Sequence, residues 1–389
     1  MKPDFIPLSV PNFAGNEKTY VNDAVVSEWV STGGSLVPRF EEEMAAYAGA
    51  PGAVACASGT AGLHLAMLVA GIGTGDEVLA PTLTFIAAVN PIRYAGAQPV
   101  FFGCDDSLCM DADAVRRFCA QQCEIRDGVL HNRHTGAAVR AIAPVHVFGN
   151  LANMDTLAAI AEEYHLLLIE DATEAVGSRF LAGRFAGRMA GTVSDVGVYS
   201  FNGNKIITTG AGGMLFSPHA QWLAHARHLS TQAKTDEVQY LHDEVGYNYR
   251  MTNLQAALGL AQLEQLEGFI AHKTAMYERY RQRLDGVCGL RILPFRKDIR
   301  SNHWFYSLYL EDFPLSRDTL LEKLRNEGIQ TRTIWGLIHE QPPYQACQAF
   351  ATEKAEDYRA HVLNLPCSTN ITPEQVDRVC DAILALAGG

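Results

Sequence analysis

The feature that most constrains the fold is an alternation, repeated between residues 40 and 215, of short apolar runs with helix-length amphipathic segments. This alternation is typical of a mainly parallel sheet covered by helices. The predicted strands are Ala53–Ala57, Val78–Ala80, Val100–Phe102, Ala141–Val145, Leu166–Ile169 and Val196–Ser200. The predicted helices are Thr60–Ala70, Phe85–Tyr94 and Met154–Tyr164. We therefore predict an α/β fold.

The pattern changes after Asn253, where a long amphipathic helix, Leu254–Leu266, is followed by charged helical sequence and by strand-like runs such as Trp304–Leu310. This second pattern predicts a smaller α+β domain. A chain of 389 residues is long enough for two domains. We predict a large domain over residues 1–250, including an N-terminal segment, and a small C-terminal domain over residues 251–389.

Composition and charge exclude several classes of protein. Hydrophobic residues make up 48% of the chain and charged residues 19%, which is enough apolar material for a buried core. The net charge is -12, and the 31 lysines and arginines are scattered among 43 acidic residues. Nucleic acid is therefore not an expected partner, because its backbone needs a continuous basic surface. A single nucleotide can still be held by a few local donors.

The sequence also argues against a membrane, secretory or zinc-binding protein. The N-terminus lacks a long apolar core, and no run approaches the roughly 18 apolar residues of a membrane span. We expect a cytoplasmic protein. Among nine cysteines, Cys119 and Cys123 form the one close pair, so reduced, buried thiols are expected. His131 and His134 lie in a polar stretch that favours a turn over a metal site, and no metal is predicted.

Polar residues follow several of the predicted strands, where ligands bind in sheets of this kind. Ser58-Gly59-Thr60 stands between a strand and a helix, so its hydroxyls and free amides can hold a phosphate. Taken alone, these residues fit a simple helix cap better. Glu170 and Asp171 end another strand, where a carboxylate can cap the next helix or face a ligand.

Lys205 follows the strand ending at Ser200 and a tight Asn-Gly turn, and it precedes a glycine-rich stretch. A surface lysine is the ordinary alternative. Against a buried sheet end, a lysine amine is partly desolvated, which lowers its pKa and suits it to covalent catalysis and proton transfer. The nearby glycines have the spacing of neither a P-loop nor a dinucleotide-binding fingerprint, so ATP and NAD are disfavoured as cofactors.

Five segments together resemble the DegT/DnrJ/EryC1/StrS family of sugar aminotransferases in order and separation. They are SGTAGLHLA, PTLTFIAAVN, IEDATEA, YSFNGNK and GYNYRMTNLQAALGLAQLE, and the resemblance covers nearly the whole chain. It implies a pyridoxal 5'-phosphate (PLP) transferase of fold type I, like aspartate aminotransferase. It also implies a homodimer with shared active sites.

The resemblance implies a role for each matching residue. Lys205 matches the lysine that bonds to PLP, and Asp171 matches the partner of the pyridine nitrogen. The positions that match other cofactor ligands are Gly59, Thr60 and Ser200 at the phosphate, Phe85 on the ring, and Asn248, which the neighbouring subunit supplies to the phosphate. Glu174 stands where many members have glutamine, and both side chains can accept a hydrogen bond near the ring hydroxyl. A dehydratase branch has histidine in place of Lys205, so transamination is the expected reaction.

A narrower resemblance, to the LegC-type aminotransferases of legionaminic acid or bacillosamine synthesis, lies in SFNGNKIITTGAGGM, the HNRHTGAAVRAI insertion and TIWGLIHEQPPY. It implies amination at C4 of a nucleotide-linked 4-keto-6-deoxy-N-acetylhexosamine, with glutamate as amino donor. UDP is the expected nucleotide, and GDP or another 3- or 4-keto deoxysugar is the alternative. The candidate substrate-binding residues are Trp29, Thr32, Trp335, His339 and Tyr344.

Two other classes of protein fit the sequence less well. A non-catalytic regulator that binds PLP or a sugar nucleotide has little need for an intact lysine, aspartate and phosphate-binding set, all of which this chain has. An oxidoreductase built on a similar sheet needs a dinucleotide fingerprint, which the sequence lacks.

Overall fold

The computed structural model describes residues 5–236 and 238–387. The α-helices are α1 Glu17–Val26, α2 Leu36–Ala48, α3 Gly59–Val69, α4 Asn90–Tyr94, α5 Ala112–Gln122, α6 Met154–Tyr164, α7 Ala220–Ser230, α8 Asn253–Leu263, α9 Leu266–Leu284, α10 Arg317–Asn326, α11 Glu353–His361 and α12 Pro373–Ala385. Single 3₁₀ turns cover Ile86–Ala88, Val147–Gly149, Ile338–Glu340 and Pro342–Tyr344.

The strands are β1 Ala53–Cys56, β2 Asp76–Pro81, β3 Gln98–Phe102, β4 Cys123–Arg126, β5 Val129–Asn132, β6 Ala138–Ile142, β7 Leu167–Asp171, β8 Arg179–Phe180, β9 Val196–Ser200, β10 Gly213–Phe216, β11 Lys234–Asp236, β12 Leu241–His242, β13 Leu290–Ile292, β14 Ile299–Arg300, β15 Tyr306–Leu310, β16 Arg332–Thr333, β17 Ala349–Phe350 and β18 Val362–Leu365. Each predicted strand of the N-terminal pattern coincides with one of these, to within a few residues.

A large sheet with the order β1-β10-β9-β7-β6-β2-β3-β17 forms the centre of the molecule. From β9 to β17 neighbouring strands run parallel, whereas β10 is antiparallel to both β1 and β9. The inner strands β7 and β9 are buried along almost their whole length, as expected for a sheet covered on both faces. The mainly parallel α/β sheet predicted from the sequence is therefore confirmed.

Three predicted elements differ from the structure. The helix predicted over Phe85–Tyr94 is a 3₁₀ turn followed by the short α4, with Pro91 near the start of α4, where its missing N–H is tolerated. The helix predicted to reach Leu266 ends at Leu263, and α9 begins as a separate helix at Leu266. His131 lies in β5, so the predicted turn begins only after this strand.

The C-terminal part contains a small antiparallel sheet with the order β13-β15-β18-β16. Helices α9, α10 and α11 pack on this sheet, and α12 packs on α9 and α10. Two C-terminal elements contact the large domain instead, because α8 packs on α1 and α2, and β17 extends the large sheet beside β3. The division at residue 250 stays a prediction.

Within residues 5–236 and 238–387, none of the helices is both long enough and apolar enough to cross a lipid bilayer.

Candidate active site

A cavity of about 580 Å³ lies where strands of the large sheet end, and residues of the small sheet also line it. Its wall includes the segments that follow β1, β7 and β9, which are the positions where the sequence predicted chemistry. Parallel strands with their carboxyl ends at one edge bring these segments together. The predicted site residues in the wall are Gly59, Thr60, Phe85, Asp171, Glu174, Ser200, Lys205 and Trp335.

One end of the cavity is built from the start of α3. The Ser58 hydroxyl oxygen accepts a hydrogen bond of 3.0 Å from the Ala61 amide, so Ser58 is the N-cap. Gly59 passes so close to β9 that a Cβ there would lie 2.8 Å from the Ser200 Cβ atom. First-turn amides and the helix dipole favour an anion at such a point. Ser58 can therefore cap α3 while the start of the same helix binds a phosphate.

Asp171 and Glu170 lie on opposite faces of β7 because side chains alternate along a strand. Glu170 faces away from the cavity, where its carboxylate accepts hydrogen bonds from the His146 ring (2.7 Å) and the Gly191 amide (2.6 Å). Asp171 faces the cavity, and its carboxylate accepts a 3.0 Å bond from the Thr173 amide. Burial raises the pKa of Asp171, and the charge of Lys205 partly opposes this rise.

Lys205 lies in the cavity wall with 12% of its side chain exposed. Its Nζ atom is 3.7 Å from a Glu174 carboxylate oxygen and 3.9 Å from the centre of the Trp304 ring. The Trp304 indole N–H donates a 2.8 Å bond to the Asn204 carbonyl, which holds the ring against the lysine loop. Burial lowers the pKa of Lys205, while Glu174 and Asp171 act to raise it.

Glu174 is buried, and its second carboxylate oxygen accepts a 2.9 Å bond from the Phe148 amide. Burial raises the pKa of Glu174 to about 7 despite the nearby Lys205 amine. A side chain that titrates near neutrality can either donate or accept a hydrogen bond at this position.

Aromatic and polar groups complete the wall. Phe85 is 55% exposed, with its ring in the wall, and Trp335 packs on Phe148 with ring centres 4.7 Å apart. The Thr84 hydroxyl is buried and makes no hydrogen bond to any residue that the structure describes. A buried hydroxyl without a partner is costly, so its place in the wall of the cavity fits a polar ligand.

Five predicted site residues do not line this cavity. Tyr344 is buried against Phe101, and its hydroxyl donates a 2.6 Å bond to Asn90. His339 forms a 2.6 Å hydrogen bond with the Thr82 hydroxyl, and Asn248 pairs with Thr231 through a single β-bridge. Trp29 is 64% exposed beside Asn253, and Thr32 is exposed close to Trp29 in sequence. A role for these residues in the cavity of their own chain lacks structural support.

Arg332 and Asn364 line the cavity from the small sheet and were not predicted from the sequence. Both stand in short strands outside the predicted parallel sheet, so no local pattern marks them. Trp304 was predicted only as the first residue of a strand-like run, and its ring covers the Lys205 amine. Tertiary packing, which a single sequence does not display, brings these side chains to the cavity.

Comparison with known proteins gives a family for this chain. Residues 11–384 match the model of the DegT/DnrJ/EryC1/StrS aminotransferase family. The chain is 35% identical to GDP-perosamine synthase of Caulobacter vibrioides, with 97% of each chain covered. It is 36% identical to GDP-perosamine synthase of Vibrio cholerae, over 97% of this chain and 98% of the relative.

Solved structures agree with the sequence matches. The structure of DesI in the presence of its TDP-sugar product superimposes with a TM-score of 0.86 at 29% identity, over 99% of this chain and 94% of DesI. The chain therefore belongs to the DegT/DnrJ/EryC1/StrS family and is a pyridoxal-phosphate-dependent aminotransferase.

Proposed function

We propose that this aminotransferase converts the keto group of a nucleotide-linked deoxysugar to an amine, with glutamate as amino donor. The main support is that three features line one cavity: the largely buried Lys205 amine, the buried Asp171 carboxylate and, at Gly59, a helix start suited to a phosphate. The 580 Å³ cavity is within the range of pockets that hold small-molecule ligands.

The residues present fit PLP. The start of α3, with Gly59, Thr60 and Ser200, would hold the phosphate, and the unpartnered Thr84 hydroxyl supplies a further polar group. Phe85 would cover one face of the ring, and Asp171 would pair with the ring nitrogen. When bound, PLP supplies an aldehyde that carries the amino group and a ring that draws electrons from the substrate carbon.

The chain's own groups then have defined tasks. The Lys205 amine would accept the proton from the α-carbon of glutamate and, in the second half of the reaction, return one to C4 of the sugar. Glu174 and Trp304 fix the position of that amine, at 3.7 Å from the carboxylate and 3.9 Å from the ring centre. The face of the sugar that meets Lys205 sets the configuration of the product.

Two nucleotide substrates are supported by different observations. The narrower sequence resemblance favours a UDP-linked 4-keto-6-deoxy-N-acetylhexosamine, used in legionaminic acid or bacillosamine synthesis. The relatives named GDP-perosamine synthase, at 35% and 36% identity, favour a GDP-linked sugar instead. We propose a cytoplasmic location for either reaction.

A homodimer with shared active sites is part of the proposal. Asn248 does not line the cavity of its own chain, so it is free to serve a neighbouring subunit. The segment before it exposes apolar side chains, with Val238 at 86%, Tyr240 at 70% and Val245 at 81%. Exposed apolar groups of this kind are typical of a surface that another protein covers.

The test is an assay of the purified enzyme with glutamate and either UDP- or GDP-linked 4-keto-6-deoxy sugars. Product mass and NMR at C4 should show a 4-amino sugar for one nucleotide. Lys205→Ala should give no product, and borohydride should fix no PLP on it, as read by protein mass. The exposed Lys323→Ala in α10 is the matched control and should behave like the wild type. Product formation by Lys205→Ala would refute the assigned mechanism.

A further inference from the structure

Among the described residues, two cationic side chains line the cavity, Lys205 and Arg332. They differ in whether a carboxylate lies beside them. The Lys205 amine has the Glu174 carboxylate at 3.7 Å. The Arg332 guanidinium forms no hydrogen bond or ion pair with any residue in the ranges 5–236 and 238–387. Arg332 is exposed where it lines the cavity, so its charge is available to an anion that enters the cavity.

Arg332 and Asn364 form a pair on the small sheet. They are directly opposite each other in the antiparallel ladder between β16 and β18. Opposite residues of such a ladder project from the same face with Cβ atoms roughly 5 Å apart. Both residues line the cavity, so this face of the small sheet is turned toward the space in front of Lys205.

The hydrogen bonds of Asn364 leave its donor group available. Its side-chain oxygen accepts a 2.9 Å bond from the Ser307 hydroxyl, which fixes the orientation of the amide. The NH₂ group then points away from Ser307, and Asn364 lines the cavity. Together with the five N–H donors of Arg332, this NH₂ group forms a set of neighbouring donors that matches an oxyanion.

We propose that Arg332 and Asn364 form an oxyanion-binding subsite that holds a carboxylate or phosphate group of the substrate. The inference rests on the proposed function, in which two anions enter this cavity. The amino donor brings a carboxylate, and the nucleotide sugar brings a diphosphate. The cavity's own acids, Asp171 and Glu174, are engaged by Thr173, Phe148 and Lys205, so they do not neutralise Arg332.

The experiment is calorimetric titration of the holoenzyme with probes that do not react: glutarate for the donor carboxylate, and UDP and GDP for the diphosphate. Arg332→Gln should weaken binding of at least one probe by about 10- to 100-fold, the loss expected when a charge-assisted bond is removed. Arg332→Lys should show a smaller loss. Asn364→Leu should also weaken the same probe, because it removes the neighbouring donor.

Arg140→Gln is the matched control, since Arg140 is an exposed arginine of β6 outside the cavity, and it should bind all three probes like the wild type. Loss confined to glutarate identifies the donor carboxylate as the ligand, and loss confined to UDP or GDP identifies the diphosphate. The proposal is overturned if folded Arg332→Gln binds all three probes as tightly as the wild type, or if the wild type binds none of them. An enzyme that binds glutarate through Arg332 but aminates no keto sugar would refute the proposed function alone.

Discussion

Three ionisable side chains share the buried end of the cavity, and their environments push their pKa values in different directions. Burial raises the pKa of Asp171 and Glu174 and lowers that of Lys205, while the attraction between opposite charges works against each shift. Such opposed effects are typical of sites where protons move during a reaction. Glu174 is the group of the three whose pKa is brought to about 7.

Glu174→Gln should change how the stability of the cofactor-free protein depends on pH. The folded pKa of Glu174, about 7, lies above its ordinary value of 4.5, so the folded state binds this proton more tightly. Between these two values, rising pH ionises the unfolded chain first, and the wild type loses stability relative to Glu174→Gln, by at most about 1.4 kcal/mol per pH unit. Above that range the difference should be constant.

The measurement for Glu174 is the free energy of unfolding in urea across about pH 5 to 8, for the wild type and the variant. The exposed Glu163→Gln in α6 serves as control and should give no such slope relative to the wild type. A wild-type stability that runs parallel to that of Glu174→Gln over the whole range would show that burial does not shift this carboxylate.

At the same scale, the sequence allows some site residues to be found and hides others. Asp171 and Lys205 could be predicted because each is a charged residue that ends or follows an apolar run at a predicted sheet edge. Arg332 and Asn364 follow no such pattern, since their meeting depends on the pairing of β16 with β18. Tyr344 shows the reverse case, because it was predicted to bind the substrate and its ring is buried beside Phe101, outside the cavity wall.

Elements with a strong local pattern could be predicted, and those set by tertiary contacts could not. Helix α6 has the predicted bounds, Met154 to Tyr164, because Asn153 caps its start and apolar residues recur on one face. The break between α8 and α9 was not predicted because no proline or glycine marks it in the sequence. In the structure, Gln265 at the break keeps near-helical dihedral angles. Strand β10 is short and apolar, so its antiparallel direction follows only from its pairing with β1 and β9.

Helix α3 offers a test of how tightly its first turn is packed against β9. Gly59→Ala would place a Cβ 2.8 Å from the Ser200 Cβ and 3.0 Å from the Ser200 hydroxyl. We expect a loss of about 1–3 kcal/mol in the free energy of unfolding, the usual cost of overpacking, together with weaker retention of PLP. Gly73→Ala is the control, because a Cβ there meets nothing within 4 Å. Thermal unfolding and PLP release during dialysis measure both effects, and equal behaviour of the two variants would contradict the close approach.

On the scale of the whole molecule, the site needs contributions from distant parts of the chain. The large sheet supplies the cradle, the acid and the lysine, and the small sheet closes the cavity with Arg332, Thr333 and Asn364. The order of strands in the large sheet and the placing of the small sheet over its edge arise from long-range packing, which no local pattern in one sequence specifies. The general class of fold could be predicted, but the shape of the cavity could not.

Mixed dimers test whether neighbouring subunits share their sites. Lys205→Ala alone should be inactive, and Asn248→Ala alone should lose PLP easily. If Asn248 serves the neighbouring cavity, a hybrid of these two variants contains one site with both residues intact, since the lysine and the asparagine come from different chains. Random mixing makes half of the dimers hybrids with one intact site each, so the mixture should regain about a quarter of wild-type activity.

The control for the mixed dimers is Lys205→Ala mixed with the double variant Lys205→Ala/Asn248→Ala, which contains no intact lysine and should stay inactive. Activity of the first mixture, measured after unfolding and refolding the subunits together, therefore reports on which chain supplies Asn248. If Asn248 acts within its own chain, no site of any hybrid has both residues. The activity of the mixture would then be no higher than that of the Asn248→Ala protein it contains. The position of Asn248 outside the cavity of its own chain favours recovery, because a residue that contributes to a site must reach it from one chain or the other.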